Sequence, residues 1–250
     1  MLAEEIGPRY ADNYRNWQRT QSRTLPLIVL IGGTTGVGKS TVATTVANRL
    51  GIVRIVSTDA VREVMRGIFT QQMMPTLHAS TFDVPSALRD PFAETNPAIA
   101  GFRQQVRSVL VGVSQIIRRA VMEGTDLIVE GAHVVPGFFD LPHRKEAIVA
   151  PLILSLDDER VHRSHFAARS QDSRSRHHQR YLDHLPDIRA IQQYVLALAR
   201  EHGVPVVPSY SLDATVSKVT ELVVTAATDS TTPQPPYHDP HGVNAMSRQE

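Results

Sequence analysis

A glycine-rich stretch near the beginning of the chain has the residue types and spacing that bind phosphate. Four residues separate Gly33 from the run Gly38-Lys39-Ser40, and Gly36 lies between them. Glycines here permit positive φ and present no Cβ to phosphate oxygens, so consecutive backbone N–H groups can point at an anion. The residues predicted to surround the phosphates of a nucleotide are Gly33, Thr34, Thr35, Gly36, Val37, Gly38, Lys39, Ser40 and Thr41.

Two side chains of this loop carry chemistry. Lys39 is predicted to contact the β- and γ-phosphates, and the Ser40 hydroxyl is predicted to ligate Mg²⁺. The expected cofactors are therefore ATP and Mg²⁺. A turn that only joins a strand to a helix is the alternative. The apolar run at residues 27–31 and the helical pattern at 39–50 favour the phosphate site, because such a loop lies between a strand and a helix N-terminus.

Two carboxylates follow apolar runs that are predicted to be strands. Asp59 comes just after residues 52–57, and Glu130 lies near the end of residues 126–131. Ligands bind beyond the carboxyl ends of parallel strands, so Asp59 is expected to orient or deprotonate an attacking hydroxyl; capping of its own helix is the alternative. Glu130 is expected to support Mg²⁺, directly or through a water, or to orient the acceptor; a solubilising strand end is the alternative.

Three arginines and a histidine are candidates for binding the acceptor. Arg62 and Arg66 follow Asp59 by three and seven residues, on one helix face, where they hold an anionic group or are solvated. Arg103 lies on a polar face of a long amphipathic helix. It either contacts the acceptor or is exposed to solvent. His133 either donates to the substrate or is a structural histidine with its hydrogen bonds satisfied.

A polar segment after the fourth predicted strand and its helix, residues 169–180, contains no apolar residue. This composition predicts a lid whose arginines contact phosphates when it closes, with a solvated basic loop as the alternative. The arginines of the predicted lid are Arg169, Arg174, Arg176 and Arg180, and Arg180 is also a candidate for binding the acceptor.

The elements that position these residues alternate between strands and helices, which predicts an α/β protein. Apolar runs predict five strands, at about residues 26–31, 52–57, 126–131, 146–156 and 204–208. Apolar residues at three- and four-residue steps predict helices at about residues 39–50, 60–67, 98–123, 158–169, 186–202 and 213–227. Asp157 is predicted to cap the fourth of these helices. Pro151 lies inside the fourth strand and predicts a bulge or a shorter pairing segment.

A single domain is predicted over residues 25–227. Residues 1–24 form a polar lead whose aromatic residues, Tyr10, Tyr14 and Trp17, have a near-helical spacing suited to docking on the body or on a partner chain. Residues 228–250 contain several prolines and no apolar periodicity, which predicts a disordered tail. A monomer or a homodimer is expected.

Composition limits the partners. The formal net charge of +1 gives no electrostatic footprint for nucleic acid or an anionic membrane, so neither partner is expected. Of the 26 Lys and Arg residues three are lysines, an arginine bias that suits phosphate recognition and also follows from a high-GC genome. The absence of cysteine excludes disulfides and thiolate metal sites. With no apolar run of about 18 residues and no signal-peptide pattern, a cytoplasmic protein is expected.

The histidines suggest no separate metal site, since none has an assured carboxylate or cysteine partner at metal-ligand spacing. The histidines considered as possible metal ligands are His162, His165, His177, His178 and His184.

Several stretches together resemble the 2-phosphoglycerate kinase family. They are residues 32–41 (GGTTGVGKST), 56–66 (VSTDAVREVMR), 77–80 (LHAS), 128–137 (IVEGAHVVPG) and Arg180-Tyr181-Leu182-x-His184. The resemblance covers about residues 27–225, and its second and fourth stretches are far more specific than the phosphate loop. It implies a P-loop kinase fold, with a five-stranded parallel sheet in the order 2-3-1-4-5 and helices on both faces. It also implies ATP-dependent phosphorylation of the 3-hydroxyl of 2-phosphoglycerate, which gives 2,3-bisphosphoglycerate.

The resemblance also implies roles for individual residues. Those that it places near the acceptor are Asp59, Arg62, Arg66 and His133. Those that match the lid of the family are Arg169, Arg176 and Arg180.

Two departures from the family keep other acceptors open. Archaeal members carry a regulatory nucleotide-binding domain before the kinase, and residues 1–24 are expected to be too few to form one. The lid reads Ser175-Arg176-His177 where the family tends to have Arg-Arg-Pro. The alternatives are a kinase for a sugar, cyclitol or mevalonate phosphate, a polynucleotide 5′-hydroxyl kinase and a non-catalytic nucleotide switch. Near-neutral charge and 6% aromatic residues argue against the polynucleotide kinase.

Overall fold

A five-stranded sheet forms the centre of the molecule. The computed structural model describes residues 23–82, 96–170 and 181–228. All neighbouring strands are parallel, and their order is β2-β3-β1-β4-β5, as predicted. The strands are β1 (Leu27–Gly32), β2 (Ile55–Ser57), β3 (Leu127–Glu130), β4 (Ile148–Ser155) and β5 (Val206–Pro208). Every residue of the central strand β1 is buried, as its apolar run predicts.

Helices cover both faces of this sheet. They are α1 (Lys39–Leu50), α2 (Thr58–Ile68), α3 (Pro97–Met122), α4 (Glu159–Ser170), α5 (Leu185–Glu201) and α6 (Leu212–Thr228), with a 3-10 helix at Pro75–His78. Successive side chains of a strand point to opposite faces. Ile28 and Leu30 of β1 accordingly share one core with α3 and α5, whereas Val29 and Ile31 share the other with α1 and α6. The result is a three-layer α/β structure.

Pro151 occupies the middle of β4 without a bulge, so that alternative is wrong, whereas the predicted shorter pairing segment is found on the β5 side. β4 pairs with β1 without interruption from Ile148 to Ile153, and Leu30 lies opposite Pro151. The N–H of Ile148 points toward β1 and that of Ile153 toward the β5 side. Because this direction alternates along a strand, the nitrogen of Pro151 faces the β5 side. Pairing with β5 begins only at Ile153, so the missing N–H of proline costs no ladder hydrogen bond.

The first turn of α2 differs from the prediction. The helix begins at Thr58, and Ser57 is its N-cap, with a side chain that accepts a hydrogen bond from the Asp59 N–H at 3.3 Å. Asp59 is therefore the second helical residue, and the interpretation that Asp59 is the N-cap is wrong. Its carboxylate still lies in the first turn, at the positive end of the helix dipole.

The fourth helix also has a different cap from the one predicted. The Arg160 N–H donates to Asp158 Oδ1 at 2.8 Å, one residue after the predicted cap Asp157. This backbone hydrogen bond is the main reason why the pKa of Asp158 lies below its ordinary value. The helix α4 thus starts one residue later than the sequence pattern indicates.

The connection from β3 to β4 contains no helix. Residues 131–147 cross from one strand to the next as turns and irregular chain, although crossovers between parallel strands are usually helical. This connection therefore covers part of the sheet with loop in place of a helix.

Several predictions fall on residues outside the described ranges. They concern residues 1–22 of the lead, 171–180 of the lid and 229–250 of the tail. Within the described ranges, no helix combines the length and apolar character needed to cross a bilayer.

Candidate active site

The phosphate-binding loop has the backbone shape that its glycines predict. Gly33, Gly36 and Gly38 adopt φ values of 133°, 92° and 83°, which residues with a Cβ rarely adopt. Space is also limited at Gly33, where a Cβ would lie 2.5 Å from the Leu154 carbonyl oxygen. Gly38 ends the loop as the left-handed N-cap of α1. The loop thus leads into a helix N-terminus, whose N–H groups and dipole favour an anion.

Lys39 folds back over this loop. Its Nζ donates a hydrogen bond to the Thr34 carbonyl at 2.8 Å, and the residue is only 9% exposed. The ammonium group is therefore held against the loop backbone. An ammonium at this place is a fixed positive charge for nucleotide phosphates.

Ser40 and Glu130, the two predicted metal ligands, are in contact. Ser40 Oγ donates to Glu130 Oε1 at 2.9 Å. Glu130 is the last residue of β3, lies opposite Ile31 of β1 and is 5% exposed. A hydroxyl and a carboxylate are oxygen ligands of the kind that Mg²⁺ prefers, so this pair fits the predicted ion.

His133 is the centre of a buried hydrogen-bond chain. Gln105 Nε2 donates to the carbonyls of Thr76 and Ala79, so its Oε1 accepts from His133 Nε2 at 3.1 Å. The other ring nitrogen, Nδ1, accepts from the Thr58 hydroxyl at 2.9 Å. Burial lowers the pKa of His133 from 6.5 to about 4, which agrees with a neutral ring. Of the two interpretations that the sequence left open, this geometry supports the structural histidine.

Asp59 and Arg62 lie close to this buried histidine. Their charges act on its pKa in opposite directions: Asp59 raises it, and Arg62 lowers it, as does Lys39. Asp59 Oδ1 is 3.7 Å from Arg62 Nε, and the Asp59 side chain is 58% exposed. The carboxylate is therefore accessible at the edge of the sheet where Glu130 also ends its strand.

The arginines of α2 have different surroundings. Arg62 donates to the carbonyls of Leu77 at 3.0 Å and Ala79 at 2.8 Å, and its side chain is 14% exposed. Arg66 contacts Glu63 and is more exposed. Arg62 thus fixes the segment after α2, whereas Arg66 pairs along its own helix surface.

Comparisons with known proteins identify the family. Residues 27–184 match the family described as AAA domain. Over 226 residues the chain is 42% identical to the 2-phosphoglycerate kinase of Pyrococcus furiosus, a match that covers 89% of this chain and 72% of that protein. The 2-phosphoglycerate kinase of Methanopyrus kandleri is 39% identical over 225 residues, which are 88% of this chain and 67% of that protein. The chain belongs to the 2-phosphoglycerate kinase family.

Solved structures also match this family member. A shikimate kinase from Bacteroides thetaiotaomicron has a TM-score of 0.45 and 14% identity, with 79% of this chain and 98% of that chain covered. A gluconokinase from Sinorhizobium meliloti 1021 has a TM-score of 0.41 and 15% identity, with coverage of 82% and 93%.

In this member of the 2-phosphoglycerate kinase family, two histidines of α4 hold the phosphate loop from outside. His162 Nε2 donates to the Thr35 carbonyl at 2.7 Å, and His165 Nδ1 donates to the Gly36 carbonyl at 3.0 Å. Burial lowers the pKa of His162, so a neutral ring is favoured there. From the sequence these histidines are considered only as possible metal ligands, and no metal site is predicted for them. Within the described residues, no group of three or more His, Cys, Asp or Glu side chains is placed to hold a metal ion. Their three-residue spacing on one helix face was the available signal.

A glutamine of α5 joins the loop to the end of β4. Gln192 Oε1 accepts from Thr34 Oγ1 at 3.4 Å, and its Nε2 donates to the Leu156 carbonyl at 2.9 Å. Arg189, one turn earlier, donates to the carbonyls of Leu156 and Asp157. Neither residue is among the predicted site residues, although a glutamine on an otherwise apolar helix face is a signal of a polar contact.

The remaining candidates are Arg103 and the arginines of the predicted lid. Arg103 is half-buried on α3. Arg169 belongs to the last turn of α4. Its side chain lies outside the described residues, as do Arg174, Arg176 and Arg180.

Proposed function

We propose that this protein transfers the γ-phosphoryl group of ATP to the free hydroxyl of 2-phosphoglycerate and releases ADP and 2,3-bisphosphoglycerate. The observation that carries the proposal is the contact between Ser40 and Glu130 beside a complete phosphate-binding loop, in a chain of the 2-phosphoglycerate kinase family.

The nucleotide side of the site is the loop and α1. Backbone N–H groups of residues 33–41 and the Lys39 ammonium hold the β- and γ-phosphates. Ser40 and Glu130 supply oxygens for Mg²⁺, which neutralises charge on the phosphates when it is bound. The buried position of Glu130 at the end of β3 supports this role, since a buried carboxylate is costly unless hydrogen bonds or a cation compensate it.

The acceptor side lies between α2, the 3-10 helix and the end of β3. Asp59 orients the acceptor hydroxyl and takes its proton as the oxygen attacks the γ-phosphorus. The new bond forms between that oxygen and phosphorus while the bond from phosphorus to the ADP oxygen breaks. Arg62 holds the wall at Leu77 and Ala79, and lid arginines, among them Arg169 and Arg176, stabilise charge on the transferred group.

Measurement of ADP release by the purified full chain, with ATP and Mg²⁺, tests this proposal. The acceptor panel contains 2-phosphoglycerate, 3-phosphoglycerate, mevalonate phosphates, sugar and cyclitol phosphates and a 5′-hydroxyl oligonucleotide. Phosphorus NMR of the product mixture identifies which oxygen has been phosphorylated. Lys39→Ala is the negative control, because it removes the phosphate-binding ammonium.

Stimulation by 2-phosphoglycerate with formation of 2,3-bisphosphoglycerate is the expected result. Preference for another acceptor would keep the kinase and contradict the substrate. ATP binding with no stimulation by any acceptor would contradict phosphoryl transfer and favour a nucleotide switch.

A further inference from the structure

A cavity lies behind the active site, beneath the connection from β3 to β4. Its volume is about 510 Å³, and its lining includes no residue of the phosphate loop at 33–41. The floor is the sheet at Leu30, Pro151 and Ile153, and the roof is formed by residues 134–144. The cavity is therefore a space separate from the proposed nucleotide site.

The fold explains why this space is open. A crossover helix would cover the strip of sheet between β1 and β4, but residues 131–147 form none. On the β5 side, pairing begins only at Ile153, so among the described strands Pro151 pairs with β1 alone. The roof is also held in place: Gly137 packs so closely on the His202 ring that a Cβ there would overlap it. This contact holds the connection against the end of α5.

The chemistry of the cavity is apolar inside and cationic at the rim. Apolar surface exceeds polar surface in its lining, which includes Phe139, Leu141 and Val204. Arg144 and His143 are exposed at the rim, with Asp140 as the acidic residue of the lining. Among the described residues Arg144 forms no ion pair. A guanidinium without a carboxylate partner is suited to an anionic group of a ligand.

The volume and the lining together indicate a small molecule. Ligand sites in proteins are concave, mostly apolar and about 300–1,000 Å³, with few polar groups that fix orientation. We propose that this cavity binds a small amphipathic organic anion. Its aromatic or aliphatic body lies between the sheet and residues 134–144, and its carboxylate, sulfonate or phosphate faces Arg144. The site adjoins the phosphate loop, because the Val134 carbonyl packs so closely on Gly32 that a Cβ at Gly32 would overlap it.

The probe for this site is 1-anilinonaphthalene-8-sulfonate, which has an aromatic body and one sulfonate. Titration of the full chain should raise its fluorescence to saturation at one molecule per chain. Arg144→Gln should weaken binding by about three- to tenfold, since an ion pair at a partly desolvated rim is lost. Arg118→Gln, at an exposed arginine of α3 outside the cavity, is the matched control and should bind the probe as the unmodified chain does.

A second variant and a second measurement test the apolar interior of the cavity, which Arg144→Gln does not probe. Val204→Phe fills the cavity and should abolish saturable binding while ATP-dependent turnover shows that the chain is folded. In methyl NMR spectra the probe should shift Val134, Leu141 and Val204 and leave Val216 and Val219, in the core on the opposite face of the sheet, unchanged.

The proposal is overturned if ATP with Mg²⁺ displaces the probe competitively, or if Arg144→Gln and Val204→Phe both bind it as the unmodified chain does. It is also overturned if the full chain fails to bind the probe. In that case, the methyl groups of the cavity could show ring-current shifts without any probe. Such shifts would mean that an aromatic side chain of the protein itself occupies the cavity.

Discussion

The Ser40 hydroxyl donates a hydrogen bond to Glu130 Oε1 at 2.9 Å, although 90 residues separate the two in the sequence. The parallel sheet brings them together, because Ile31 at the end of β1 lies opposite Glu130 at the end of β3. The chain leaves β1, forms the phosphate loop and enters α1 with Ser40 in its first turn. A hydroxyl at the helix N-terminus and a carboxylate at the strand end thus face the same point.

Glu130→Gln should lower kcat by about 10²-fold or more and raise the Mg²⁺ concentration needed for half-maximal rate. The amide still accepts the hydrogen bond of Ser40 but carries no charge for a divalent cation. ADP release measured against Mg²⁺ concentration checks this, with Glu201→Gln at an exposed position of α5 as the control. An unchanged Mg²⁺ dependence in Glu130→Gln would remove Glu130 from the metal site.

Asp59→Asn should lower kcat by about 10²-fold with little change in the KM for ATP. The amide cannot accept a proton from the acceptor hydroxyl, whereas the nucleotide side of the site is untouched. The matched control is Asp213→Asn, an exposed carboxylate in the first turn of α6. Steady-state rates with the preferred acceptor decide the matter, and an unmodified kcat in Asp59→Asn would exclude it as the base.

Local sequence patterns predicted most of the fold. The glycine spacing at 33, 36 and 38 was informative because each position needs positive φ or close packing, which few other residues tolerate. Helices α1, α3, α5 and α6 were predicted to within one residue at each end, because apolar residues at three- and four-residue steps define their buried faces. The edge strands β2 and β5 were predicted too long, since an edge strand pairs on one side only.

Contacts between distant elements explain what the sequence did not predict. Gln105 is one of several consecutive polar residues of α3, and His133 lies in a loop of small and apolar residues. Nothing in either neighbourhood identifies the Thr58 hydroxyl as the third member of the chain. The fit of Pro151 in β4 likewise depends on where β5 begins, which only the assembled sheet determines. Residues that act through tertiary hydrogen bonds are therefore the ones that pattern analysis misses.

Arg62→Gln should raise the KM for the acceptor by about tenfold or more, while Arg66→Gln changes it by less than about twofold. Sequence spacing made the two arginines equivalent, but only Arg62 donates to the carbonyls of Leu77 and Ala79. Each hydrogen bond from a charged donor contributes about 1.5–3 kcal/mol, so its loss releases the wall of the acceptor site. Acceptor saturation curves for the two variants test this, and equal effects would contradict the distinction.

His165→Ala should raise the KM for ATP by about three- to tenfold, because the Gly36 carbonyl loses its donor and the phosphate loop is less well held. His165→Asn places an amide N–H near the position of Nδ1 and should restore much of the affinity. Arg160→Gln, on an exposed position of the same helix, is the control. A failure of asparagine to differ from alanine would show that the hydrogen bond does not position the loop.

The stability of the protein should decrease as the pH falls from about 6.5 to 4, and His133 should account for much of the decrease. Burial holds its native pKa at about 4, against an ordinary value of 6.5. Between these values the unfolded chain binds a proton that the native chain does not, so the free energy of unfolding falls with pH, by about 2 kcal/mol at pH 5 and about 3 kcal/mol in all. Burial of His162 acts in the same direction.

Urea unfolding at pH 7.5 and pH 5 measures this loss of unfolding free energy. The loss should shrink in His133→Gln and persist in His143→Gln, at an exposed histidine. An equal pH dependence in both variants would mean that His133 binds its proton as readily in the native chain as in the unfolded one.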